Sequence, residues 1–198
     1  MERIKALVIL LLLAVASYGQ TAKQVLDKTA AVVSNQSGAS ASFDIKGSQM
    51  AASGTIAIKG RKFHVTTPQA MIWYDGKTQW TYLKKNEEVN VATPSESEQA
   101  AINPYNFIYL YKKGYSYTMT KKTGSYEVHL TAKDQKRPIQ EMYIVIQAKT
   151  SVPTQIRMRQ KSGWTTITLK NFKSTQLDDG MFRFNSKDFP NAEVIDLR

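Results

Sequence analysis

At 198 residues the chain suits one domain of ordinary size, with a core able to stand alone. Lys and Arg total 27 against 16 Asp and Glu, a net charge of +11, and mean hydropathy is −0.38. Cysteine is absent, which excludes disulfides and a cysteine nucleophile, and leads us to expect neither a lipobox nor a lipid anchor.

The first residues read as a secretory signal. Arg3 and Lys5 supply positive charge, Leu7 to Val15 form an apolar run, and small residues follow at Ala16, Ser17 and Gly19. Cleavage is expected near Gly19, with Ala16 as the competing position. Residues 1–19 are thus expected to be a signal peptide and residues 20–198 a single domain. The apolar run falls short of the roughly 20 residues a membrane anchor needs, so a soluble periplasmic product is expected. Losing Arg3, Lys5 and Glu2 would leave a charge of +10. Such a charge could favour nucleic acid, but the export signal and the scatter of the lysines along many segments argue against it. It fits anionic membrane surfaces, acidic partners, or simply a solvated basic face.

Next in chain order, Thr21 can cap a helix with Gln24 three residues on, and Val25, Leu26, Thr29, Val32 and Val33 recur with helical spacing. This predicts one amphipathic helix running to Gln36. From Ala39 the pattern alternates: Phe43, Ile45 and Gly47, then Ile56 and Ile58, then Phe63 and Val65, with Gly54 and Gly60 as punctuation. Asp75-Gly76 joins the strands Met71–Tyr74 and Thr78–Tyr82 as a hairpin turn, and Glu87 to Ala92 form a further strand. Alternation then stops. Pro94 to Ala101 read as helical with Ser95 and Glu98 as a capping box, and a second short helix is expected over Tyr105 to Lys112. Strands resume around Tyr115–Met119, Tyr126–Leu130, Met142–Ile146, Ile156–Met158 and Ile167–Leu169, with Gly124 and Gly163 at hairpin turns. The expectation is a mainly β (α+β) chain: an incomplete antiparallel barrel of about ten or eleven strands, an N-terminal helix and a helical insertion mid-chain.

Catalytic patterns are missing. There is no Gly-x-Ser-x-Gly elbow, and His64 and His129 are far apart and unpaired, so neither reads as a base or a metal ligand. Asp178-Asp179-Gly180 and Glu87-Glu88 read as turn or edge carboxylates. No glycine-rich loop joins a strand to a helix. We therefore expect no enzyme, no metal and no cofactor. What is abundant is apolar and aromatic surface, with 3 Trp, 10 Tyr, 7 Phe and 7 Met. A sheet of this size with few helices can keep an apolar cavity, which would favour acyl chains at about 0.8 kcal/mol per buried CH₂.

The stretch Lys59-Gly60-Arg61-Lys62-Phe63, then Pro68, then Trp73-Tyr74-Asp75-Gly76-Lys77-Thr78-Gln79-Trp80-Thr81-Tyr82 resembles the LolA family of outer-membrane lipoprotein carriers. Asn103-Pro104-Tyr105-Asn106-Phe107-Ile108, Phe182-Arg183-Phe184 and Val194-Ile195-Asp196 agree in kind, so the resemblance spans nearly the whole mature chain. It implies a half-barrel with short lid helices over an apolar cavity, and a monomer that makes only transient membrane contact. The implied partners are acylated lipoproteins, an inner-membrane lipoprotein-releasing transporter and an outer-membrane receptor. LolB, the receptor of that family, shares the fold but is lipid-anchored, so the missing cysteine favours the carrier.

Candidates for lining the cavity are Phe63, Trp73, Trp80, Tyr82, Phe107, Ile108, Met119, Ile144 and Met158. The family's arginine that reaches toward the lid is replaced by Lys59, with Arg61 two residues nearer to Phe63, and these two are the lid-holding candidates. Two further readings stay open: a periplasmic lipid-binding sensor or regulator similar to RseB-like proteins, and a carrier of a different lipid.

Overall fold

The computed structural model describes residues 20–48, 51–95, 98, 105 and 107–198. The expected signal peptide lies outside these residues, as do residues 96–97 and 99–101 of the first expected mid-chain helix and residue 106 of the second.

Helix α1 spans Ala22–Val33. Its capping box is formed as the sequence suggests: Thr21 Oγ1 accepts from the Gln24 N–H at 3.2 Å, and Gln24 Oε1 accepts from the Thr21 N–H at 2.9 Å. It ends three residues short of Gln36. The Ser34 hydroxyl and N–H both donate to the Ala30 carbonyl, and Asn35 Oδ1 accepts from the N–H of Gly38, whose φ of +113° turns the chain away. Val25, Leu26, Thr29, Ala30 and Val33 make one buried stripe.

Twelve strands follow in a single sheet: β1 (Ala39–Gly47), β2 (Ala51–Lys59), β3 (Lys62–Thr66), β4 (Ala70–Tyr74), β5 (Gln79–Leu83), β6 (Glu88–Ala92), β7 (Tyr115–Lys122), β8 (Ser125–Ala132), β9 (Glu141–Gln147), β10 (Pro153–Gln160), β11 (Gly163–Ser174) and β12 (Glu193–Asp196). A single helical turn, α2 (Phe107–Leu110), precedes β7. The sheet order is β12-β6-β5-β4-β3-β2-β1-β11-β10-β9-β8-β7. It is open, with β7 and β12 as edges, and it does not close into a barrel. Every pairing is antiparallel except β12 on β6. The strand beyond the expected ten or eleven is β12, four residues long and too short to show alternation.

Asp75-Gly76 does form the β4–β5 turn. Asp75 Oδ1 accepts from the Lys77 and Thr78 N–H groups at 3.0 and 2.9 Å, and Gly76 takes φ +104°. Gly60, Gly124 and Gly163 also sit at turns with positive φ. Gly54 departs from expectation: it is not a break but lies inside β2, directly opposite Phe43. A Cβ there would stand 2.1 Å from the Thr66 carbonyl oxygen and 3.0 Å from the Phe43 ring, so the strand needs glycine for close packing and not for a turn.

Replacing Gly54 with alanine is expected to destabilise the fold by about 1–3 kcal/mol through overpacking against backbone that cannot yield. Urea unfolding reads the effect, and an unchanged midpoint would contradict this packing.

Candidate functional site: an apolar interior under a short helix

Strand register sorts the side chains onto two faces. On the inner face, Ile45, Ile167, Ile156, Ile144, Val128 and Met119 lie opposite one another across β1, β11, β10, β9, β8 and β7. A parallel row of Met158, Met142, Leu130 and Tyr117 runs beside it. Ile156, Ile144 and Val128 are fully buried, while Ile45, Met119, Tyr117 and Tyr126 are half-buried at the rim. Phe43, Ile56, Ile58, Phe63, Val65 and Tyr74 extend the same face across β1 to β4. The buried stripe of α1 packs against this face together with Phe107, Ile108 and Tyr111.

Of the expected lining residues, Phe63, Phe107, Ile108, Ile144 and Met158 are buried in this interior, and Met119 stands at its edge. Trp73, Trp80 and Tyr82 do not face it. Trp73 pairs with His64 and with Trp80, one residue out of phase with Phe63 and Tyr74, so these rings project from the opposite side of the sheet. There the chain after β11 covers them: Trp73 meets Phe184 and Phe189 at 5.6 and 5.5 Å, and Tyr82 meets Phe189 at 4.7 Å. Strand parity alone says which residues share a face, not which face is the interior.

The two lid-holding candidates divide between two different covers. Arg61 places its guanidinium 5.6 Å above the ring of Tyr109 on α2, whose hydroxyl donates to the Gly60 carbonyl at 2.8 Å. Lys59 faces the C-terminal segment instead, donating to the Leu177 carbonyl at 2.9 Å and pairing with Asp179 at 3.0 Å. Lys62 joins it on Asp179 at 2.9 Å. Asp178 caps the same 3-10 turn, Asp179–Phe182, by accepting from the Gly180 N–H, as its turn-like sequence suggested.

A second fastening of α2 escaped sequence reasoning. The Tyr111 hydroxyl donates to Asp27 Oδ1 on α1 at 2.6 Å, bridging residues 84 apart, and Lys23 holds the other carboxylate oxygen at 2.6 Å. These two hydrogen bonds hold the Asp27 carboxyl below its usual range, and burial raises the Tyr111 hydroxyl above its own. Nothing local signals such a pair, because Asp27 and Tyr111 belong to unrelated periodicities. In the mid-chain segment, the Ser95–Glu98 capping box is formed, with Glu98 Oε2 accepting from the Ser95 N–H at 2.7 Å.

Among the described residues, two buried oxygens have no hydrogen-bond partner: Thr29 Oγ1 on the packed stripe of α1, and Gln79 Oε1 opposite Tyr74. The histidines stay in ring stacks, His64 on Trp73 at 5.2 Å and His129 on Tyr143 at 4.1 Å, and burial lowers the His64 pKa. Among the described residues no group of three or more side chains could hold a metal ion, and no helix is long and apolar enough to cross a membrane.

Residues 12–162 match the family model described as outer membrane lipoprotein carrier protein LolA. No curated protein matches the chain. Among solved structures, an uncharacterized conserved protein from Thermus thermophilus is similar at a TM-score of 0.61 and 13% identity, covering 89% of this chain and 99% of that one. A LolA superfamily protein from Nitrosomonas europaea aligns at 0.46 and 12% identity, covering 84% and 99%.

Tyr111→Phe is expected to release α2 from α1 at a cost of about 1 kcal/mol, seen as faster amide exchange at Phe107–Tyr111 with the sheet amides unchanged. Because the folded-state pKa of Asp27 is depressed, its contribution is present above the ordinary carboxylate pKa of about 3.9 and is lost as pH falls through the folded value. Exchange at α2 should therefore quicken on acidification below about pH 4 in the wild type, and much less in Tyr111→Phe.

Proposed function

Since the chain belongs to the LolA family of outer membrane lipoprotein carrier proteins, we propose that it is a periplasmic carrier that takes the acyl chains of lipoproteins into its apolar interior and moves them from the inner to the outer membrane. The observation that supports this most directly is the unbroken apolar row from Ile45 to Met119 across six strands. A row of that kind offers an extended hydrocarbon chain continuous apolar contact, at about 0.8 kcal/mol for each CH₂ withdrawn from water. It ends in half-buried side chains, which gives an acyl chain a place to enter without breaking the sheet.

A carrier must also let go. At its margin α2 is held by polar contacts among the described residues: the Tyr109 hydroxyl on Gly60, Arg61 over the Tyr109 ring, and the Tyr111 hydroxyl on Asp27. Each contributes on the order of 1 kcal/mol; the larger cost of opening lies in the buried Phe107, Ile108 and Tyr111, which an entering acyl chain or a partner's differential binding would offset. In this reading the protein binds and releases without covalent chemistry. Residues 1–19 direct export, and an inner-membrane lipoprotein-releasing transporter loads the mature chain before an outer-membrane receptor unloads it.

The test is to purify the protein from its own periplasm and identify what accompanies it by mass spectrometry, alongside titration with a synthetic triacylated lipopeptide. Lipoproteins in stoichiometric amount, and saturable lipopeptide binding, are expected. A free lipid in their place, with no affinity for the lipopeptide, would overturn the lipoprotein reading in favour of a carrier or sensor of another lipid. Met119→Glu puts a charge at the half-buried rim, where the fold tolerates it, and is expected to weaken lipopeptide binding on the order of tenfold or more.

A further inference from the structure

At the end of the sheet where β8 leads into β9 and β10 turns into β11, residues 135–138, 140 and 159–162 line a cleft of about 660 Å³. Four of these lining residues are basic: Lys136, Arg137, Arg159 and Lys161. Arg159 is already engaged by Glu141, its Nε donating to Oε1 at 2.9 Å. Among the described residues, Lys136, Arg137 and Lys161 have no carboxylate within 4.0 Å. Three uncompensated cations thus face one opening.

The site is also shaped in advance. Arg137 lies 5.1 Å over the Tyr115 ring and against the backbone of Gly114, where a Cβ would stand 2.1 Å from the guanidinium. Gly114 has φ +85°, so glycine serves there twice, for the backbone angle and for the arginine. The Gln140 amide donates to the carbonyls of Gln135 and Arg137, tying down the loop that carries Lys136. Beside the cleft, Trp164 stands directly across from Arg159 and is 37% exposed, with the Arg157 guanidinium 5.2 Å from its ring.

We propose that this cleft receives the phosphate of an anionic phospholipid headgroup, and that it seats this end of the sheet on an anionic bilayer surface. An arginine fork held in place and two lysine ammonium groups match phosphate oxygens. An exposed tryptophan beside them matches the headgroup level of a bilayer, where its ring is favoured. That aromatic neighbour is what favours a lipid surface over an acidic protein. The inference concerns the outside of the sheet and does not depend on what the interior carries.

Vesicle cosedimentation tests it, with the mature chain on phosphatidylcholine vesicles and on vesicles in which a quarter of the lipid is phosphatidylglycerol. The wild type is expected to bind the anionic vesicles only, with Trp164 emission, obtained as the difference from Trp164→Phe, moving to shorter wavelength. The double variant Lys136→Ala/Lys161→Ala should lose about twenty-five-fold in partition, about fivefold for each lysine near the surface. The control Lys121→Ala/Lys149→Ala removes the same charge at the opposite end of the same strands and should lose less than about twofold. Equal losses in the two double variants would mean that net charge alone attracts the protein, and would overturn the site. Absence of binding to anionic vesicles, with retention on an immobilised acidic polypeptide, would overturn it in favour of a protein partner.

Discussion

The pairing of β1 with β11 turns two separate meanders into one sheet. It brings Asp44 and Lys170, 126 residues apart in sequence, to 2.8 Å of each other. Closing so long a loop costs entropy that no local contact offsets, and the compensation lies on the inner face. Ile45 meets Ile167 and Phe43 meets Leu169 across this seam, and the apolar row that crosses β7 to β11 reaches β1 only here. A register shift between Ser40 and Ser42, with Asn171 at φ +54° beside it, introduces the extra twist that a bulge provides. Without the seam, β1 and β11 would each expose an edge and the inner face would be split in two.

Once the sheet is continuous, both of its faces require cover, and a single turn serves both. In the β2–β3 connection, Gly60 and Arg61 meet Tyr109 of α2, whereas Lys59 and Lys62 hold Asp179 of the C-terminal segment. The C-terminal segment gains a second hold where Arg183 pairs with Asp75 at 3.2 Å, and a third where β12 adds to β6 in parallel. Trp73, Tyr82, Phe184 and Phe189 are packed beneath it as a separate outer cluster. Within the sequence signature, Trp73, Trp80 and Tyr82 thus belong to the outer face, whereas Tyr74 and Gln79 lie on the inner one.

Local patterns were readable, and relations between distant segments were not. The capping box at Thr21, the Asp75-Gly76 turn and the eleven alternating strands follow from chemistry within a few residues of each position, and all are present. Gly54 was misleading because a glycine in a strand carries the same letter whether it ends the strand or admits a neighbour, and only the Thr66 carbonyl and the Phe43 ring decide between the two. Trp73, Trp80 and Tyr82 were expected in the lining with Phe63, but alternation does not say which face is the interior, and the aromatics that cover Trp73 and Tyr82, Phe184 and Phe189, come more than a hundred residues later. The Asp27–Tyr111 contact and the Asp179 clamp were invisible for the same reason: each joins residues distant in sequence whose own surroundings give no sign of a partner.

The distribution of polar and apolar contacts indicates how an interior of this kind can be stable and still open. The contacts joining α2 to the rest are hydrogen bonds and one cation–π contact at the margin, groups that water can satisfy when the contact breaks. Those beneath it, Phe107, Ile108 and Tyr111, are apolar contacts that water cannot replace. The net cost of separation is therefore concentrated in the apolar layer, and it is this layer that an acyl chain would substitute. Displacing α2 by hydrocarbon exchanges one apolar contact for another, whereas displacing it by water does not. The cover should accordingly stay shut in water and yield to a ligand whose chemistry resembles its own underside, and that selectivity needs no more than the alternation already present in the strands.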